Sequence, residues 1–133
     1  LKSLSTYPFP IFYEEWETKS KIEEAWDNKG DIVVGNDVWI GYEAIICAGA
    51  KIGDGAIIAS RSIVKGEVPP YSIYGGAPAR LIKKRFSDDI IDYLQSLKWW
   101  ELEYRQIESI IPYIIRSDID SIKSIIHKSN YQK

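Results

Sequence analysis

The sequence predicts a mainly β fold, a triangular solenoid of short parallel strands, followed by C-terminal α-helices. Three observations predict it. Val34, Ile40, Ile46, Ile52, Ile58 and Val64 recur at every sixth position, and all are aliphatic. The residues that follow them, Gly35, Gly41, Cys47, Gly53, Ala59 and Lys65, are small in five of six cases. Two residues before each aliphatic stand Ile32, Val38, Ala44, Ala50, Ala56 and Ser62, again aliphatic or small. A helix of 3.6 residues per turn would scatter positions six apart around its cylinder, and a simple alternating strand has no recurring small residue. Short strands joined by corners accommodate both features. The aliphatic residue points inward, and the small residue after it is expected to let the chain turn. Three hexapeptides make one coil, so 32–67 supplies two, stacked at about the 4.8 Å strand spacing.

The elements follow in order. Residues 1–30 read as an extended segment and an aromatic loop, 31–80 as the coils and 81–133 as a helical region. Ser5-Thr6-Tyr7-Pro8-Phe9-Pro10 is too rich in proline for a helix or a central strand. Phe12, Tyr13, Trp16 and Trp26 follow, and 13–26 reads as a loop with a short helix. Lys65-Gly66-Glu67-Val68-Pro69-Pro70 breaks the hexad and is expected to end the regular coils. Tyr71 to Tyr74 read as one more strand, and Gly75-Gly76-Ala77-Pro78-Ala79 as a compact loop. Ser87, with Asp88 and Asp89 behind it, starts a helix carrying Ile90, Ile91, Leu94 and Leu97. A second helix is expected over 103–111, ending at Pro112, and a third from Ser117 with Asp120 three residues on.

Composition excludes several classes. Seventeen Lys and Arg against nineteen Asp and Glu leave a formal charge of −2, so no global basic field for nucleic acid exists. The single cysteine, Cys47, rules out a disulfide framework and a Cys-based zinc site, and no metal is expected. It fills a small-residue slot of the repeat and reads as packing. The lone histidine, His127, falls on the last helix and reads as a surface residue. No apolar run approaches the roughly 20 residues that span a bilayer, and a cytoplasmic protein is expected. The sequence contains no methionine and begins with Leu1, so it reads as a C-terminal piece of a longer chain. The local exception to the charge balance is Arg80, Lys83, Lys84 and Arg85, four cations within six residues after a Gly-Gly pair. Cations beside a glycine loop suit a multiply phosphorylated ligand.

Val38-Trp39-Ile40-Gly41, the hexads, Gly75-Gly76-Ala77-Pro78-Ala79-Arg80, Lys98-Trp99-Trp100 and Ser5-Thr6-Tyr7-Pro8-Phe9 together resemble the hexapeptide-repeat acyltransferases. The resemblance is strongest to the xenobiotic acetyltransferases, which include streptogramin and type-B chloramphenicol acetyltransferases. It implies a left-handed parallel β-helix, a homotrimer, and acetyl-CoA bound between neighbouring solenoids. It implies O-acetylation of a hydroxyl on a small antibiotic-like acceptor, with a histidine as general base. Carried onto this sequence, Trp39, Ser60, Lys65, Gly76, Arg80 and Lys83 would line the CoA site, and Tyr7, Pro8 and Phe9 the acceptor pocket. The family's histidine would fall just before Leu1, so 1–133 are expected to lack it and to be inactive alone. Two alternatives stand beside this reading: a sugar or polysaccharide O-acetyltransferase, and a non-catalytic trimeric CoA-binding scaffold. The aromatic loop favours a bulky apolar acceptor over a sugar.

Overall fold

The computed structural model describes residues 4–9, 12, 15, 16 and 29–130. The chain forms two compact units, Leu1–Gly30 and Asp31–Lys133. Most of 13–26, read above as a loop with a short helix, lies outside the described residues, Tyr13 and Trp26 included.

In the second unit the hexads become two-residue strands: β1 (Val33–Val34), β2 (Trp39–Ile40), β3 (Ile45–Ile46), β4 (Lys51–Ile52), β5 (Ile57–Ile58) and β6 (Ile63–Val64). They pair in parallel at an interval of eighteen residues, with Val34 opposite Ile52, Ile40 opposite Ile58 and Ile46 opposite Val64. The chain therefore visits three separate ladders in turn before returning to the first. Ala50, Ile52, Ala56, Ile58, Val64, Val68 and Ala79 form the buried core between them.

Four details correct the expectations. The first concerns the small residues at 35, 41 and 53. They do not turn the corners: the left-handed residues are Asp37, Glu43, Gly49, Gly55 and Arg61, another period-six series. The small residues are required by close approach instead. A Cβ on Gly41 would stand 2.6 Å from the backbone N of Ser60, and one on Gly53 2.6 Å from that of Pro70. Stacked corners are tied by side chains. Arg61 Nε meets Glu43 Oε2 at 2.8 Å, and the backbone N–H of Asn36 donates to Asp54 Oδ1 at 2.7 Å.

Second, residues 65–70 break the hexad as expected, and a further strand follows near 71–74, but the break itself also contains a strand. Glu67–Val68 is a strand, β7, which pairs with β4, and β8 (Ser72–Gly76) pairs with β5. The interval falls to sixteen residues here, because Gly66 at φ +75° makes a tighter turn than a full hexad would. Third, Gly75–Ala79 is not a loop. β8 runs through Gly76, and β9 (Ala79–Lys84) returns antiparallel beside it, so only Ala77 and Pro78 form the connection. Fourth, the inward aliphatics are not equally buried. Ile52 and Ile58 are 2% and 1% exposed, whereas Val34 and Ile40 are 46% and 42% exposed. β1, β2 and β3 are all edges of their ladders, so only one side of that first layer is covered among the described residues.

Helices follow. α1 (Asp88–Leu97) has extended Ser87 before it and ends on left-handed Lys98, whose N–H reaches Leu94 O. A single 3₁₀ turn at Trp99–Glu101 leads to α2 (Tyr104–Ile115), and α3 is Ile119–Asn130. α2 passes through Pro112 rather than ending there. Its apolar face spans the proline, with Ile110 fully buried before it and Ile114 after it lining a cavity shared with α1 and α3, and that packing outweighs one missing hydrogen bond. Ser117 does not cap α3. It is left-handed at φ +55°, and Asp118 does the capping, accepting from the Ser121 N–H at 3.1 Å and the Ser121 hydroxyl at 2.7 Å. Those two hydrogen bonds hold the Asp118 carboxyl below its ordinary value. Among the described residues no helix is long and apolar enough to cross a membrane.

Candidate functional site

Four of the six residues assigned to cofactor binding lie on one sheet, ordered β2-β5-β8-β9. Trp39, Ile57, Ile73 and Lys83 are successive partners in a single row across it. Ile40 and Ile58 face the core, so their neighbours Trp39 and Ile57 face outward, and paired residues share a face. Trp39 and Lys83 thus stand at opposite ends of an outward row, roughly 14 Å apart at three strand spacings. Trp39 is 69% exposed.

The hairpin β8–β9 sets the cations. Ile73 pairs with Lys83 but Tyr74 pairs with Leu81, which leaves Ile82 as the extra residue of a bulge. Without the bulge, Arg80 and Lys83, three apart, would point to opposite faces. With it, both sit opposite outward-facing positions, Gly75 and Ile73. The strands are closely packed at Gly75, where a Cβ would stand 2.8 Å from Ile82 Cδ1 and 3.1 Å from Ala59 Cβ. The other two cations are already engaged. Lys84 forms an ion pair with Asp88 in the first turn of α1. Arg85 donates through Nη1 to Gly55 O at 2.6 Å and lies 5.4 Å from both the Tyr71 and Phe86 rings. Arg80 contacts its neighbour's carbonyl, Ala79 O, at 3.0 Å, and Arg80 and Lys83 form no ion pair among the described residues.

Gly76 closes the hairpin at φ +100°, and its N–H donates to Ser62 Oγ at 3.2 Å. Ser62 is completely buried. Sequence reasoning passes over it, although it is the one polar residue in the series Ile32, Val38, Ala44, Ala50, Ala56, Ser62. Ser60 is exposed at the corner after β5, two residues before Ser62 in the chain. Lys65 is not brought to the group: it follows β6, on the ladder β3–β6, at the next corner.

In the first unit, Tyr7 and Phe9 pack at 4.7 Å between ring centroids, and Trp16 packs edge-on against both at 5.8 and 5.5 Å. Trp16 Nε1 donates to the Tyr7 hydroxyl at 3.3 Å, and Phe12 joins at 6.1 Å from Tyr7. Pro8 accepts the Phe12 N–H at 3.4 Å, which bends the chain so that these rings meet. Phe12 and Trp16 are thus drawn to the two aromatic residues named from sequence.

The family described as bacterial transferase hexapeptide, six repeats, matches residues 31–66. Residues 31–66 carry the hexapeptide repeat of that family. The chain is 48% identical over 112 residues to a chloramphenicol acetyltransferase of Morganella morganii, covering 84% of this chain and 53% of that protein. It is 50% identical over 107 residues to a probable macrolide acetyltransferase of Lysinibacillus sphaericus, covering 80% and 59%. It is 48% identical over 119 residues to a virginiamycin A acetyltransferase of Staphylococcus aureus, covering 90% and 54%. The chain therefore spans a little over half the length of these relatives.

Proposed function

We propose that this chain is part of an acetyl-CoA-dependent O-acetyltransferase whose acceptor is a hydroxyl on a small antibiotic-like molecule of the chloramphenicol or streptogramin class. The observation that carries this is identity of 48–50% over 80–90% of the chain to relatives named for acetylation of such compounds. In the proposed reaction the acceptor oxygen attacks the thioester carbonyl and loses its proton to a base, and CoA leaves as the thiol. A base with pKa near 7 suits an alcohol nucleophile. The family's histidine would precede Ser5 by a few residues, so the base is placed outside residues 1–133 and transfer by them alone is expected to be undetectable.

Arg80 and Lys83 are proposed to hold CoA phosphates. Support comes from their shared outward face and from the engagement of Lys84 and Arg85 elsewhere. Trp39, Ser60, Lys65 and Gly76 are proposed to line the remainder of the CoA path, and Tyr7, Pro8 and Phe9 the acceptor pocket. The ladders are proposed to form a left-handed β-helix that assembles as a cytoplasmic homotrimer. Its outer faces support assembly. Two ladders carry apolar columns outside, Trp39-Ile57-Ile73 and Ile45-Ile63, while the third carries the pair Lys51 and Glu67.

The test is calorimetric titration of CoA into the chain, with sedimentation to establish its assembly. Arg80→Ala and Lys83→Ala should each weaken CoA by about 1.5–3 kcal/mol, the range for hydrogen bonds to charged groups. Affinity should fall as salt rises. Binding that neither substitution changes would sink the assignment of these two cations.

A further inference from the structure

Ser62 and Ser72 are the two buried polar residues among those described. Ser72 answers a local need, since its hydroxyl donates to Pro69 O three residues back. Ser62 reaches across the fold. Its Oγ accepts the N–H of Gly76, fourteen residues on, at 3.2 Å. That N–H lies where strand pairing runs out. β5 ends at Ile58, and beyond it the Ala59 N–H still donates to Tyr74 O at 2.8 Å. In a regular parallel ladder the next donor, Gly76, would turn to the Ala59 carbonyl. Here a side-chain oxygen takes its place. Packing alone does not call for this oxygen, because alanine fills the equivalent slot at 44, 50 and 56. A buried hydroxyl is costly unless it is hydrogen-bonded, and Gly76 supplies the bond.

We propose that Ser62 is a positioning residue for CoA: its hydroxyl fixes the turn at Gly76 and thereby aims Arg80 at a CoA phosphate. This rests on the reading of Arg80 and Lys83 as the phosphate-holding cations. Ser62 is 0% exposed, so it acts without touching the ligand. A backbone N–H is an obligatory hydrogen-bonding group, and its partner sets the direction in which the chain leaves β8. Only Ala77 and Pro78 separate Gly76 from β9, whose second residue is Arg80, opposite Gly75. A shift at Gly76 therefore reaches Arg80 almost directly. The far end of β9 is held by other means. Lys84 pairs with Asp88, the Arg85 N–H donates to Tyr71 O at 2.8 Å, and the Arg85 side chain is bonded to Gly55 O. Lys83 stands beside those anchors and is insulated from the turn. Ala79 is buried in the core and keeps the hairpin in place when the hydroxyl is lost, so removal of Oγ alters aim rather than fold.

The experiment is calorimetric titration of CoA into the full 133-residue chain and its Ser62→Ala and Ser62→Cys variants, each alone and combined with Arg80→Ala or with Lys83→Ala. Melting curves establish that each chain is folded at the temperature of titration. Ser62→Cys fills the same space with a weak acceptor, so it serves if the alanine variant does not fold. Both variants should weaken CoA about three- to tenfold, the value of one hydrogen bond. The loss should vanish when Arg80 is already alanine and persist in full when Lys83 is, since only coupled residues depart from additivity. Amide hydrogen exchange at Gly76 should also quicken, with β5 and β6 unchanged. Folded Ser62 variants that bind CoA as tightly as the wild-type chain overturn the proposal. So does a loss of equal size in the Arg80→Ala and Lys83→Ala backgrounds, which marks general loosening. Absence of CoA binding by the wild-type chain instead overturns the reading of the cations, and the role of Ser62 with it.

Discussion

Replacing Gly41 by alanine should damage this fold far more than its chemical modesty implies. Gly41 has no left-handed backbone to lose, so conformational preference predicts almost nothing. The added Cβ, however, would stand 2.6 Å from Ser60 N, 2.8 Å from Ile58 O and 2.9 Å from Ala59 C. These are backbone atoms of the next circuit, and no rotamer change relieves them. The circuits must separate locally, straining the bonds Gly41 N–H to Ile58 O at 2.8 Å and Trp39 N–H to Ala56 O at 2.9 Å. Overpacking costs about 1–3 kcal/mol and two weakened bonds about 0.5–1.5 each, so about 2–6 kcal/mol is expected together. That is a large share of a typical total stability of roughly 5–15 kcal/mol. Gly66→Ala is the comparison. Gly66 is at φ +75°, and an added Cβ there would have nothing within 4 Å, so only the left-handed strain of about 1–2 kcal/mol applies. Urea unfolding followed by tryptophan fluorescence, at fixed protein concentration, measures both. If Gly41→Ala costs no more than Gly66→Ala, close stacking is not the reason for the small residues.

Three further outcomes are expected. Ile58→Ala should cost about 2–4 kcal/mol, while Ile40→Ala, its partner in the exposed first layer, should cost no more than about half as much in the same unfolding assay. Burial raises the Asp54 carboxyl, but hydrogen bonds from the Asn36 backbone and from the Gln95 and Asn36 amides, with the Lys98 charge, outweigh it and leave it below its ordinary value. Its stabilisation is therefore present above the unfolded carboxyl pKa of about 4 and is lost as pH falls through the lower folded value. The difference in urea midpoint between the wild-type and Asp54→Asn chains should accordingly be largest near neutrality and shrink at pH 3, and a gap that widens on acidification would contradict the assignment. Pro112→Ala restores a helical N–H on the exposed side of α2, and a gain of about 1–2 kcal/mol in thermal unfolding is expected.

The sequence by itself determined the period of the fold. An inward aliphatic every sixth residue needs no tertiary information to be seen, and it located all six two-residue strands from Val33 to Val64. It also placed α1, because Ser87 and the two aspartates are local signals. The hexads likewise pointed to the hexapeptide repeat before any coordinates. Tertiary structure decided whatever depended on a neighbouring circuit. The small residues at 35, 41 and 53 look like turning points in one dimension, but the atom that excludes a side chain there belongs to a residue almost twenty positions on. The shortened circuit through Glu67 and Val68 was hidden because pairing with Lys51 and Ile52, not periodicity, makes them a strand. Pro112 and Ser117 misled for the same reason: a local rule was outweighed by packing of Ile114 beside α1 and α3 in one case and overtaken by the Asp118 cap in the other. At the candidate site, four clustered cations were legible as a group. Only the bulge at Ile82 and the separate commitments of Lys84 and Arg85 separated Arg80 and Lys83 from the rest, because strand register and ion pairing arise from contacts across the chain and leave no mark on composition.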